Sequence, residues 1–156
     1  MAYLDIITLA DAKTYLRIDD TLTEDDAQIS RMIKASLSQI ERVTNYILFA
    51  RSKSYVIEDS KVNVYDYPIN SLTTPETVTS VKKSIYTSYK AENTTDLSLV
   101  LNVGYSEASS VPSDLIEVAY EMIDLMYYSP ETGKSIKSNL SELSKMVLSN
   151  YKRFFI

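Results

Sequence analysis

Thr23-Glu-Asp-Asp-Ala-Gln-Ile-Ser-Arg-Met-Ile-Lys-Ala-Ser-Leu-Ser-Gln-Ile-Glu-Arg-Val-Thr-Asn-Tyr-Ile47 places Ile29, Met32, Ile33, Leu37, Ile40, Val43 and Ile47 at helical steps. Such steps keep returning to one side of a 3.6-residue helix. The spacing predicts a helix over about 24–48, on the order of 37 Å long. Lys34, Ser38, Glu41, Arg42 and Asn45 fall on its wet face. Thr23 and Asp26 read as a capping pair, and Glu24, Asp25 and Asp26 suit the positive end of the helix dipole.

Upstream, Ile7-Thr-Leu-Ala-Asp-Ala-Lys-Thr-Tyr-Leu-Arg-Ile18 carries the same capping signal at Thr8 and Asp11, with Leu9, Ala12 and Leu16 at helical spacing. A short helix over about 9–16 is expected. Downstream, the period changes: Tyr55-Val-Ile57, Val62-Asn-Val-Tyr-Asp-Tyr67 and Leu97-Ser-Leu-Val-Leu-Asn-Val103 read as strands. Pro68 and Pro75 interrupt this region, and Ser and Thr crowd residues 71–95 as if in long loops. Helix resumes after Val111-Pro-Ser-Asp114, where Pro112 fits a first turn. Its apolar stripe is Leu115, Ile116, Ala119, Met122, Ile123 and Met126, with Glu117, Glu121 and Asp124 opposite, and it is expected to stop near Ser129-Pro130. Asn139 and Glu142 suggest the cap of a last helix over about 140–150, before the ending Tyr151-Lys-Arg-Phe-Phe-Ile156. The expected architecture is mainly α: a bundle of about four helices with a small antiparallel β-rich insertion, about 52–104, between the second and third. A single domain, 1–156, is expected to hold helical parts 8–50 and 111–150 and a C-terminal tail 151–156.

The 156 residues include no His, Cys or Trp and only two Gly. Disulfides, thiolate chemistry, histidine metal sites and a Ser-His-Asp triad are thereby excluded. Two isolated glycines do not build a phosphate-binding loop. The acids Asp19, Asp20, Glu24, Asp25 and Asp26 lack the order and the turn glycine of a calcium loop. Helix caps explain them more simply, so neither metal nor cofactor is expected. Paired carboxylates for glycoside hydrolysis are not marked anywhere, and the thirteen tyrosines lack the interleaved bases of a nucleic-acid platform. The composition points away from an enzyme. No apolar run is long enough to span a membrane, and the first residues lack the pattern of a secretory signal, so cytoplasmic synthesis is expected.

Charge is segregated. Residues 1–26 hold seven acids against Lys13 and Arg17, residues 114–131 hold five acids and no base, and residues 132–156 hold five bases against Glu142. Solvated helix faces account for such blocks, and so does docking of copies through complementary patches. A pI of 4.8 disfavours strong nucleic-acid binding. Tyr151, Lys152, Arg153, Phe154, Phe155 and Ile156 either fold back on their own core or anchor in a partner.

The order of Ile7–Asp19, an acidic linker and the helix ending Ile40-Glu-Arg-Val-Thr-Asn-Tyr46 resembles the N-terminal half of the head–tail connector (adaptor) proteins of tailed bacteriophages. Val103-Gly-Tyr105, Val111-Pro-Ser-Asp-Leu115 and an apolar helix through Tyr127-Tyr128 resemble their second half, and Leu148-Ser-Asn-Tyr-Lys-Arg153 is similar to their Leu-x-x-Tyr-Arg close. The longer middle, Ser71 to Thr95, and Tyr128-Ser-Pro130 depart from the pattern. The resemblance implies a virion structural protein of the neck: a dodecameric ring of copies that docks beneath the portal protein, meets the tail or the next neck protein, and extends the channel for double-stranded DNA. It implies that residues 151–156 contact the portal or an adjacent subunit. Acids in the lumen let a duplex slide, so some of Glu117, Glu121 and Asp124, or of the first acidic block, are expected to face the channel. A small helical DNA-packaging or regulatory factor that binds a motor or nucleic acid transiently is the alternative.

Overall fold

The computed structural model describes residues 2–73, 78–91, 96–128 and 139–153. Among them the helices are α1 (Tyr3–Ile6), α2 (Leu9–Leu16), α3 (Asp26–Thr44), α4 (Ser113–Tyr128) and α5 (Glu142–Asn150), with a 3-10 turn at Ala108–Ser110. α2 has the bounds its sequence predicts. Thr8 Oγ1 accepts from the Asp11 N–H at 3.1 Å, and the Asp11 carboxylate accepts from the Thr8 N–H at 3.3 Å.

α3 is shorter at both ends than the helix over about 24–48 that its sequence predicts. Asn45 turns left-handed at φ 60°, and its N–H donates to the Glu41 carbonyl at 2.8 Å, which closes the helix. The Thr23–Asp26 cap does not form. Asp26 instead pairs with the buried Lys13 ammonium at 2.7 Å, and Asp25 accepts from the Tyr127 hydroxyl at 2.7 Å. The cap of α5 likewise moves from Asn139 to Ser141, whose hydroxyl accepts from the Ser144 N–H at 3.2 Å. The stripe of α3 (Ile29, Ile33, Leu37, Ile40) packs with Leu115, Val118, Ala119, Met122 and Ile123 of α4, with Ala12 and Leu16 of α2, and with Leu148 of α5.

The middle of the chain is a six-stranded antiparallel sheet: β1 (Arg51–Glu58), β2 (Lys61–Val64), β3 (Ile69–Leu72), β4 (Val78–Lys82), β5 (Thr87–Ala91) and β6 (Asp96–Val103), in the order β3-β6-β1-β2-β5-β4. β1 and β6 pair along their whole length, from Arg51 opposite Val103 to Glu58 opposite Asp96. Asp59 and Ser60, both at positive φ, turn β1 tightly into β2. Ile57, Val64, Tyr89, Ala91, Leu99, Leu101 and Val103 bury one face, together with Ile47. Ile69 on one edge strand and Ser80 and Lys82 on the other line the same cavity, so the sheet curls into a half-barrel.

A mainly helical bundle of about four helices with a small insertion is therefore not what the chain forms. The sheet has a core of its own, and each of its fully buried aliphatic side chains contributes about 1.5–3 kcal/mol. Its full extent is not legible in the sequence because the second face of the sheet is hydroxyl-rich. Ser52, Ser54, Asn63, Thr79, Ser88 and Ser98 alternate with inward residues, so Val78–Lys82 and Thr87–Ala91 are strands written in the composition of loops.

The two cores meet at Glu41, which is not on a wet face but 7% exposed. Its carboxylate accepts from the Tyr3 hydroxyl at 2.6 Å, from the Leu48 N–H at 2.7 Å and from the Arg51 guanidinium at 2.8 Å. Beside it the chain after α3 zips onto two loops: the Ile47 N–H donates to the Tyr67 carbonyl at 2.7 Å, and the Tyr105 N–H to the Ile47 carbonyl at 3.2 Å. Gly104 sits at φ 105°, where an added Cβ would lie 2.2 Å from the Phe49 carbonyl oxygen.

Gly104→Ala is therefore expected to destabilise the protein by about 2–4 kcal/mol in urea unfolding. Glu41→Ala is expected to cost about 3 kcal/mol, the low end for a broken buried pair because the Arg51 side chain is 31% exposed. A loss under about 1 kcal/mol would show that Glu41 is not a stabilising joint.

Candidate assembly surfaces

Glu117, Glu121 and Asp124 lie along one face of α4 as their spacing requires. All three raise the pKa of Tyr15, after burial as the larger cause, so the stripe borders that phenol. Tyr15 stacks on Tyr120 with ring centroids 4.8 Å apart. Glu117 is exposed, and Glu121 and Asp124 are partly covered. Glu121 is tied to the start of α5: its carboxylate accepts from the Ser141 N–H at 2.5 Å, from the Ser141 hydroxyl at 2.9 Å and from the Ser144 hydroxyl. Burial pushes its pKa up, but the Ser144 and Ser141 hydrogen bonds and Lys145 outweigh that and hold it below the usual value.

The first acidic block divides between inward ties and presentation. Asp26 and Asp25 are held as described, and Asp19 accepts from the Thr21 N–H at 2.8 Å and hydroxyl at 2.7 Å. Those bonds, the hydroxyl's first, lower the Asp19 pKa. Asp20 and Glu24 are exposed and make no ion pair among the described residues. Between them Leu22 is 57% exposed.

Tyr151 and Arg153 pack on their own chain. The Tyr151 hydroxyl donates to Asp114 at 2.9 Å and its ring meets Tyr46 edge-on at 5.0 Å. Burial, then the Asp114 hydrogen bond, pushes its pKa up to about 12. The Arg153 N–H donates to the Thr44 carbonyl at 3.2 Å and Nε to the Tyr65 carbonyl at 3.3 Å, while the guanidinium lies 4.5 Å from the Tyr67 ring centroid. Lys152 lies between them, and Phe154, Phe155 and Ile156 fall outside the described residues.

Arg153 also helps line a cavity of about 200 Å³ at the mouth of the half-barrel, with Tyr67, Ile69, Ser80, Lys82, Thr87 and Tyr89. Sequence reasoning missed this site because it is assembled from residues distant in the chain. Lys82, inside a Ser/Thr-rich run, carries no local signal of it. Among the described residues there is no group of three or more His, Cys, Asp or Glu able to hold a metal ion, and no helix is long and apolar enough to cross a membrane.

A family model described as phage gp6-like head-tail connector protein matches residues 6–117. No curated protein sequence matches the chain. Among solved structures, a chain in the neck of an empty GTA particle computed with C6 symmetry aligns at TM-score 0.77 and 14% identity, covering 100% of this chain and 94% of that one. A chain in the virion of a native gene transfer agent particle aligns at 0.75 and 14%, covering 97% and 91%. A chain in the neck of a native GTA particle computed with C12 symmetry aligns at 0.74 and 12%, covering 100% and 94%. At these identities the likeness is one of fold.

Because folding lowers the pKa of Glu121, the stability it supplies is present above the ordinary carboxylate range and lost as pH falls through its folded value. Glu121→Gln should melt below wild type near pH 7 and converge with it towards about pH 3. A gap that persists in acid would disprove the linkage. For Tyr151 the pKa is raised, so its contribution is complete below about pH 10 and lost as pH rises through about 12. Melting curves of Tyr151→Phe and wild type should therefore approach each other over that alkaline window.

Proposed function

The chain belongs to the phage gp6-like head-tail connector family, a virion structural adaptor between capsid and tail, and from that premise we propose that twelve copies form a ring docked beneath the portal that extends the DNA channel towards the tail. The observation that carries this reading is the family match together with a fold that aligns from end to end with chains of C6 and C12 necks. The work is done by packing and charge, not by catalysis, in keeping with a sequence that has no His or Cys. The protein is made in the host cytoplasm and ends in the virion neck.

In this ring the α4 stripe of Glu117, Glu121 and Asp124 faces the channel, where like charge repels the DNA backbone and keeps the duplex from being gripped. Glu117, exposed and without an ion pair among the described residues, is the strongest contributor. The C-terminal segment makes the portal or subunit contact. Tyr151 and Arg153 anchor it to the ends of α3 and α4, with Lys152 between them, and Phe154, Phe155 and Ile156 make the contact itself. Aromatic side chains suit such a hot spot.

Light scattering coupled to size-exclusion chromatography, with and without purified portal protein, is expected to show ring formation, and a monomer indifferent to portal would sink the reading. Removing residues 154–156 is expected to abolish portal binding in a protein that still folds by circular dichroism. Unaltered binding would clear those residues of the role. A reconstruction of the ring with a basic lumen and the three α4 acids outside would refute the channel assignment.

A further inference from the structure

Two features of the surface are opposite in form and charge. In the loop between α2 and α3, Leu22 is 57% exposed, although an aliphatic side chain gains most from burial. It stands midway between the unpaired acids Asp20 and Glu24. At the mouth of the half-barrel the pattern is inverted. Tyr67, Ile69 and Tyr89 make an aromatic and apolar floor, Lys82 and Arg153 flank it, and among the described residues no carboxylate lines the cavity. Among the described residues Lys82 is in no ion pair, and Arg153 meets backbone carbonyls and tyrosine faces but no carboxylate.

These complementary patches lie at opposite ends of one rigid element. The acidic loop leads into Asp26, the first residue of α3, and Arg153 is bonded to Thr44, its last. Nineteen helical residues separate the two ends by about 28 Å. The loop therefore has no route to the mouth of its own subunit. A surface and its complement at opposite ends of one chain make a head-to-tail contact, the kind that closes a ring.

We propose that the mouth of the half-barrel receives the α2–α3 loop of a second copy, with Leu22 entering the cavity and Asp20 and Glu24 meeting Lys82 and Arg153. The assignment rests on the ring reading above and adds to it which surfaces join neighbours. The cavity of about 200 Å³ has room for one aliphatic side chain. Burying the leucine supplies affinity, while the flanking charges fix register and exclude the reversed orientation. This leaves the α4 acids for the channel and residues 154–156 for the portal, so the three surfaces do not compete.

The chain contains no cysteine, so introduced thiols are the only ones present. Leu22→Cys/Ser80→Cys protein, assembled alone or on purified portal, is oxidised mildly and run on a non-reducing gel. A ladder of cross-linked subunits that collapses on reduction, and that neither single variant gives, is expected. Rings seen by light scattering that yield no ladder would overturn the interface and leave the ring reading intact. Wild-type chains that stay monomeric with and without portal would overturn both. Independently, Asp20→Lys/Glu24→Lys should fold as wild type does by circular dichroism and weaken assembly at least about tenfold. Adding Lys82→Glu should recover part of the loss. Undiminished assembly of the charge-reversed protein would also overturn the interface.

Discussion

A carboxylate buried where three segments converge sets the layout of this protein. Removing Glu41 from water is costly unless every strong donor around it is supplied. Here the donors come from α1 (Tyr3), the segment after α3 (Leu48) and β1 (Arg51). Satisfying one charge therefore fixes where the sheet begins relative to the helices. The backbone bonds that follow, from Ile47 to Tyr67 and from Tyr105 to Ile47, extend the joint by a register that the carboxylate has already chosen. Lys13 with Asp26, and Asp66 with Lys53 and Tyr55, repeat the device on a smaller scale within each half.

The same economy explains which charges are left for other molecules. Of the acids in the first block, Asp11, Asp19, Asp25 and Asp26 are committed to a cap, a turn, a tyrosine and a lysine. Asp20 and Glu24 are not. Along α4 Glu121 ties down α5 while Glu117 stays exposed. Net charge per segment thus overstates what the surface presents, because much of it is spent on local structure.

Much of the helical half was legible in the sequence. The α2 capping box and the stripes of α3 and α4 are local signals, and the structure keeps them because burial of those same faces agrees with them. What failed was decided at a distance. Asp26 abandons its local cap for Lys13, Ile47 leaves the helical stripe for the sheet, and Glu41, polar and at the flank of the α3 stripe one turn after Leu37, is buried by residues that no pattern on α3 reveals. The sheet was half seen. β1, β2 and β6 carry apolar alternation, whereas β3, β4 and β5 owe their place to pairing partners. Of the surfaces, the α4 stripe was readable as a helix face, but the half-barrel mouth was not, since it exists only once β3, β4, β5 and the C-terminal segment are brought together.

The division into two cores has a consequence for divergence. Ile33 and Leu115 belong to one packing unit and Leu99 and Tyr89 to another. Substitutions in units that share no contacts change stability nearly additively. Each half can then be repacked by drift without compensating change in the other, provided the joint between them holds its geometry. A fold organised in this way can keep its outline while its residues turn over, and at 12–14% identity the alignment still covers all of this chain and 94% of the others.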